Sequence, residues 1–169
     1  ILSVMNVLKL NLKKNHKKLE SLRPLPGRGE ILQIKKRAKK FFLIDESYNS
    51  NPNSLKMAIL DLNKEKYKLN GKILVIGDML ELGKFSKKMH KEIVPIISNI
   101  QPKLVITVGE FSRVISESLP SNISSFHFKK VFHMYNKLLT KIDNNDIVMV
   151  KGSNSTKLSM LIKFLSQGM

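Results

Sequence analysis

The chain of 169 residues contains no cysteine, which excludes disulfides and thiolate metal sites and fits a reducing compartment. It has no apolar run approaching the roughly 20 residues that a membrane-spanning helix needs. Its first residues resemble neither a signal peptide nor an arginine-rich transit sequence, so a soluble, intracellular protein with no membrane partner is expected. Arginine is scarce: of the 30 basic residues behind a formal charge of +17, four are Arg, at positions 23, 28, 37 and 113, and the other 26 are Lys. Nucleic-acid recognition draws on the bidentate arginine fork, and these lysines are scattered over most of the expected helices and loops. The charge therefore reads as a solvated basic surface, and no specific nucleic-acid partner is expected.

Several catalytic signatures are missing too. Gly77 to Phe85 comes near a phosphate-binding P-loop, but five residues separate Gly77 from Gly83 and Phe85 follows Lys84, where the motif requires four residues and then Ser or Thr. No Gly-x-Ser-x-Gly nucleophile elbow occurs, and His16, His90, His127 and His133 show no metal-ligand spacing. The sequence thus carries no self-contained nucleotide triphosphatase site, no hydrolase triad and no expected metal site. It has neither a long-period repeat nor a low-complexity tail.

What the sequence does contain, at 42% hydrophobic residues, suffices for one sizeable core. Apolar positions at Leu2, Met5, Leu8 and Leu12 have helical spacing, and a second short helix is expected from Asn15 to Leu22, ending ahead of Pro24. Arg23-Pro24-Leu25-Pro26-Gly27-Arg28-Gly29 reads as a linker, with residues 1–22 before it and the main domain at 30–169. Strands are expected at Glu30 to Lys35 and Phe41 to Asp45, joined by an exposed charged turn, and a helix from Asn53 to about Tyr67, with Asn51 as cap and Pro52 in its first turn. The run Lys72 to Gly77 is apolar enough to be a strand buried on both faces.

From there strands at Lys103 to Thr107, Ser124 to Phe128 and Asp146 to Val150 alternate with helices at Ser86 to Ser98, Glu110 to Leu119, Val131 to Ile142 and Ser155 to Leu165. Pro95 should kink or shorten the first of these helices. Alternation of this kind indicates an α/β domain: a mostly parallel six-stranded sheet flanked by about five helices, the first strand being its antiparallel edge. Ligands bind such sheets beyond the carboxyl ends of the strands. Those ends carry Asp45 to Asn51, Gly77 to Gly83, Thr107 to Glu110, His127 and Lys151 to Thr156. The last combines a cation, a glycine and hydroxyls at a helix start, which suits an anion but equally suits simple capping. Asp78 and Glu81 suit either a ligand or a capped loop.

Four of these stretches, in this order, resemble the last domain of the Mur ligases: Pro26-Gly27-Arg28; Asp45-Glu46-Ser47-Tyr48-Asn49-Ser50-Asn51-Pro52-Asn53-Ser54; Gly77-Asp78-Met79-Leu80-Glu81-Leu82-Gly83; and Val150-Lys151-Gly152-Ser153. The resemblance is greatest to the branch that joins D-alanyl-D-alanine to UDP-N-acetylmuramoyl-tripeptide. It implies a Rossmann-like fold and an ATP- and Mg2+-dependent amide ligase of cytoplasmic, bacterial peptidoglycan synthesis, acting through an acyl phosphate. It also implies that residues 1–22 end a central domain, and that the N-terminal and central domains, which hold the P-loop and most of the ATP and Mg2+ contacts, are missing partners of this chain.

By position, the resemblance assigns Arg28, Asp45, Glu46, Tyr48 and Asn49 to ATP, and Ser50, Asn51, Lys151, Gly152 and Ser153 to the amino substrate. It assigns no catalytic or metal-binding residue. Asn154 stands where the family has Arg, which weakens charge pairing with the dipeptide there. Ligation by the chain alone is not expected. A stand-alone α/β module for a small anion or nucleotide is the alternative that the residues leave open.

Overall fold

The computed structural model describes residues 2–9, 23–64 and 70–167. α1 (Leu2–Val7) lies in the first of these segments; the helix expected at Asn15 to Leu22, and the end of the one expected to reach Tyr67, fall outside the described residues.

Six strands form one sheet: β1 (Glu30–Lys36), β2 (Lys39–Glu46), β3 (Lys72–Gly77), β4 (Leu104–Val108), β5 (Ser125–Phe128) and β6 (Ile147–Lys151). Their order is β1-β2-β6-β3-β4-β5, and all neighbours are parallel except β1 and β2, so β1 is the antiparallel edge expected from the sequence. The β1–β2 turn runs through Arg37 (φ 47) and Ala38 (φ 62), the paired left-handed conformations that a two-residue hairpin needs to match strand twist. At the helical layer, α2 (Pro52–Leu62), α3 (Ser86–Lys91), α4 (Val94–Ile100), α5 (Arg113–Ser118), α6 (Val131–Lys141) and α7 (Leu158–Ser166) flank the sheet.

The continuous apolar strands feed two cores. Leu55, Ile59, Ile97 and Ile115 from α2, α4 and α5 cover Leu74, Ile76, Val105 and Met149 on one face. On the other, Met134, Leu138, Leu161 and Leu165 from α6 and α7 cover Ile73, Val75, Ile106 and Val148. Three helices differ from expectation. The one expected over Ser86 to Ser98 is broken between Lys91 and Val94, because Pro95 has no N–H to donate and its ring collides with the carbonyl four residues back. The one expected from Glu110 starts only at Arg113. The one expected from Ser155 begins as a 3-10 turn (Asn154–Thr156), which Lys157, at φ 57, separates from α7.

The Arg37–Ala38 pair occupies a backbone conformation that costs an ordinary L-residue about 1–2 kcal/mol. Replacing the pair by Asn–Gly should raise the free energy of unfolding by about 1 kcal/mol in a urea titration; no gain would contradict the turn geometry.

Candidate functional site

The parallel strands bring the ends of β2, β6, β3 and β4 side by side, with Glu46 opposite Lys151 and Ile76 opposite Lys151 in register. Beyond β2 the chain turns through Ser47–Ser50 into α2. Asn51 caps that helix: its side chain accepts from Ser54 N–H while Ser54 Oγ accepts from Asn51 N–H, and Pro52 occupies the first turn, where no N–H is needed.

Asp45 organises the turn. Its carboxylate is buried and accepts from Gly27 N–H at 3.0 Å through Oδ2, and from Ser47 N–H at 3.0 Å and Ser47 Oγ at 2.6 Å through Oδ1. Gly29 N–H donates to Asp45 O at 2.7 Å, and Tyr48 N–H to Gly27 O at 3.1 Å. The end of the linker is thereby stitched to the turn. A Cβ on Gly27, whose φ is +77, would come within 2.8 Å of Tyr48 Cβ, so glycine alone permits the approach.

The stitching carries Arg28 to the turn, where its guanidinium lies 4.1 Å from the centre of the Tyr48 ring. Lys151, only 2% exposed, donates to Glu46 Oε2 and to Asn49 O, both at 3.1 Å. Arg28, Glu46, Tyr48, Asn49 and Lys151 share one cavity of about 250 Å3 with Gly27, Asn51 and Ser54. Lys151 therefore faces the residues assigned to ATP, and its charge is balanced by Glu46. Asp45 does not line this cavity; its oxygens serve the linker at Gly27 and the turn at Ser47. Glu46 keeps a second oxygen, Oε1, beside Gly29, where a Cβ would lie 3.2 Å from it. The missing side chain leaves that oxygen approachable.

A second cavity of about 480 Å3 adjoins the turn, lined by Tyr48, Asn49, Ser50, Asn51, Leu80, Glu81 and the Ser153–Ser155 loop. Ser50 is 4% exposed, and its Oγ has no hydrogen-bond partner. Leu80 N–H donates to Ser153 Oγ at 3.0 Å and Ser153 N–H to Asp78 O at 3.0 Å, which ties the loop after β6 to the loop after β3. A serine hydroxyl that accepts one bond still has its own proton to give. Gly152 packs on Gly77, where a Cβ would meet the Gly77 Cα at 2.9 Å, so its role is close approach of β6 and β3.

Asp78 accepts from the N–H groups of Glu110 at 2.8 Å, Phe111 at 3.0 Å and Ser112 at 2.7 Å. These donors explain why α5 starts late: the chain after β4 wraps a carboxylate before it becomes helical. The Asp78 carboxylate does not cap the helix that follows its own loop, whose first residues carry no side-chain cap; it is held by the loop after β4. Among the described residues no group of three His, Asp or Glu side chains could hold a metal ion. His90 is buried and bonded to Met79 N–H, and His127 Nδ1 lies 3.0 Å from Thr107 Oγ1. Sequence reasoning missed a cavity of about 590 Å3 between the ends of β3 and β4 and the starts of α6 and α7. Phe111, Phe132, Met160 and Phe164 line it, at positions that read in the sequence as ordinary helical apolar spacing.

Fold and edge together define a Rossmann-like α/β domain with polar cavities beyond the carboxyl ends of its strands. The profile described as "Mur ligase, glutamate ligase domain" matches residues 27–154, and the chain belongs to this family of Mur ligase C-terminal domains. Among curated relatives, the UDP-N-acetylmuramoyl-tripeptide–D-alanyl-D-alanine ligase of Rickettsia prowazekii is 29% identical over 164 residues, covering 97% of this chain and 35% of the relative. The enzyme of the same name from Bacillus subtilis is 32% identical over 143 residues, covering 81% and 30%. The chain thus spans about a third of the length of these relatives. Among solved structures, the MurF ligase of Thermotoga maritima in complex with ADP superposes with a TM-score of 0.79 at 23% identity, over 98% of this chain and 36% of that one. A MurF structure from Acinetobacter baumannii gives 0.78 at 26% identity, over 95% and 35%.

Lys151 is buried and donates to two acceptors, Glu46 Oε2 and Asn49 O. Lys151→Met should lower stability by about 1.5–3 kcal/mol, the worth of hydrogen bonds to a charged group. In a double-mutant cycle with Glu46→Gln, the two losses should be less than additive. Additive losses would show that the pair is not coupled.

Proposed function

We propose that this chain is the C-terminal part of an ATP-dependent ligase that joins D-alanyl-D-alanine to UDP-N-acetylmuramoyl-tripeptide in cytoplasmic peptidoglycan synthesis. The observation that carries this reading is the turn after β2, which gathers Arg28, Glu46, Tyr48 and Asn49 around one cavity and places Ser50, whose buried hydroxyl has no partner, in the lining of the next. The names of the curated relatives support the reaction, and the ADP in complex with the Thermotoga maritima ligase supports the nucleotide.

In this reading Glu46 Oε1 accepts from a ribose hydroxyl, and Arg28 offers its planar fork to a phosphate. Lys151 holds Glu46 in place and leaves the pair neutral. The neighbouring cavity takes the dipeptide through the hydroxyls of Ser50 and Ser153 and the carboxamide of Asn51. With Lys151 neutralised and Asn154 uncharged, its carboxylate is held by hydrogen bonds rather than by an ion pair. A tripeptide carboxylate oxygen attacks the γ-phosphorus of ATP and ADP departs; the dipeptide amine then attacks the acyl phosphate, forming the amide and releasing phosphate and a proton. The 169 residues carry no P-loop motif. Phosphoryl transfer therefore belongs to preceding domains, with residues 1–22 as the end of the central one, Arg23 to Gly29 as the link, and closure bringing the two halves together.

Mixing the chain with a fragment of a relative that carries the N-terminal and central domains should restore ADP release dependent on both tripeptide and D-alanyl-D-alanine, while the chain alone shows none. Within that complex Glu46→Ala should raise the KM for ATP and leave that for the dipeptide. Turnover by the chain alone, or an unchanged KM for ATP, would overturn the reading.

A further inference from the structure

Three loops, after β3, β4 and β6, meet at Asp78 and Met79. His90 reaches this junction from α3. The imidazole is fully buried; its Nε2 lies 2.9 Å from Met79 N, and its Nδ1 lies 2.7 Å from Ser86 O. The backbone N–H of Met79 can only donate, so Nε2 is an acceptor without a proton. The Ser86 carbonyl can only accept, so Nδ1 carries the hydrogen. Both neighbours dictate one tautomer of a neutral ring.

Met79 is followed by Leu80, whose N–H donates to Ser153 Oγ, and preceded by Asp78, whose carbonyl accepts from Ser153 N–H. Leu80, Glu81 and Ser153 form one wall of the 480 Å3 cavity. A proton added at Nε2 would set two N–H groups against each other and turn the acceptor of Met79 N–H into a donor.

We propose that His90 is a positioning residue whose neutral ring holds the Met79–Glu81 loop against Ser153, and that its protonation releases this wall of the cavity. The inference deepens the reading of that cavity as the amino-substrate site, but the device itself operates in the protein without any ligand.

The surroundings favour the neutral ring. Burial pushes the His90 pKa below its ordinary value of 6.5; the Ser86 carbonyl and the field of Asp78 act the other way and do not compensate. Asp78 is already engaged by three N–H donors of the β4 loop. From that loop the Phe111 ring sits 6.2 Å away, and Glu110 and Arg113 there are exposed, as are Lys87, Lys88 and Lys91 on the histidine's own helix. A histidine whose folded pKa is depressed takes up fewer protons than the unfolded chain below about pH 6.5. Its contribution to stability is therefore unchanged above that pH, and stability is lost as the pH falls through 6.5 toward the folded value.

The test is a pH titration of the whole chain by amide NMR. The N–H resonances of Met79, Leu80 and Ser153 should move together, with a common midpoint below 6.5. His90→Gln places a carbonyl oxygen where Nε2 was and does not titrate: it should keep the neutral-pH spectrum of the loop and abolish the common movement, which would persist if another group were responsible. If Met79 does not respond, or responds without Leu80 and Ser153, the positioning role is overturned. Since no ligand enters the experiment, failure of the ligase reading would leave its outcome intact.

Discussion

A single buried carboxylate fixes the geometry on which the rest of the site depends. Asp45, next to last in β2, has both oxygens occupied, one by the linker at Gly27 and the other by the turn at Ser47. Hydrogen bonds to an ionised, desolvated carboxylate are strong, and leaving any of these donors unpaired would be costly. The consequence is that Arg28 belongs to the body of the domain: it rides on Gly27 and Gly29, which are pinned to β2, and rests on Tyr48. Arg28 and Glu46 are thereby held in one unit with the end of β2.

The sheet order supplies the second constraint. Because β6 lies between β2 and β3, its terminal Lys151 can reach back to Glu46 and Asn49 while the next residues, Gly152 and Ser153, lean on Gly77 and Asp78. One strand end thus joins the turn after β2 to the ledge built on Asp78 and His90. The two cavities share Tyr48, Asn49 and Asn51, so a change at either is felt by the other.

Much of this was legible in the residues. The apolar runs marked all six strands to within about two residues, and β1, bearing alternating burial and no second covering layer, was identifiable as the edge. The capping of α2 followed from Asn51-Pro52 alone. Helix starts were less legible, because long-range partners decide them. Nothing local says that the N–H groups of Glu110 to Ser112 are taken by a carboxylate 32 to 34 residues earlier, and nothing local puts Lys157 in a left-handed conformation. The same holds in the site. Residue type placed Asp45 and Lys151 at a ligand edge, whereas only the fold reveals that the first is shared between linker and turn and the second is held by Glu46 and Asn49. Both are charged residues whose partners lie 18 and 105 residues away, at separations that no motif encodes.

Hydrogen exchange in Asp45→Ala addresses the Asp45 staple directly. The amides of Gly27 and Ser47 should lose protection together, while those of the central strand β3 keep theirs. Retained protection at Gly27, or loss at Ser47 alone, would contradict a linker and turn held as one unit by this carboxylate.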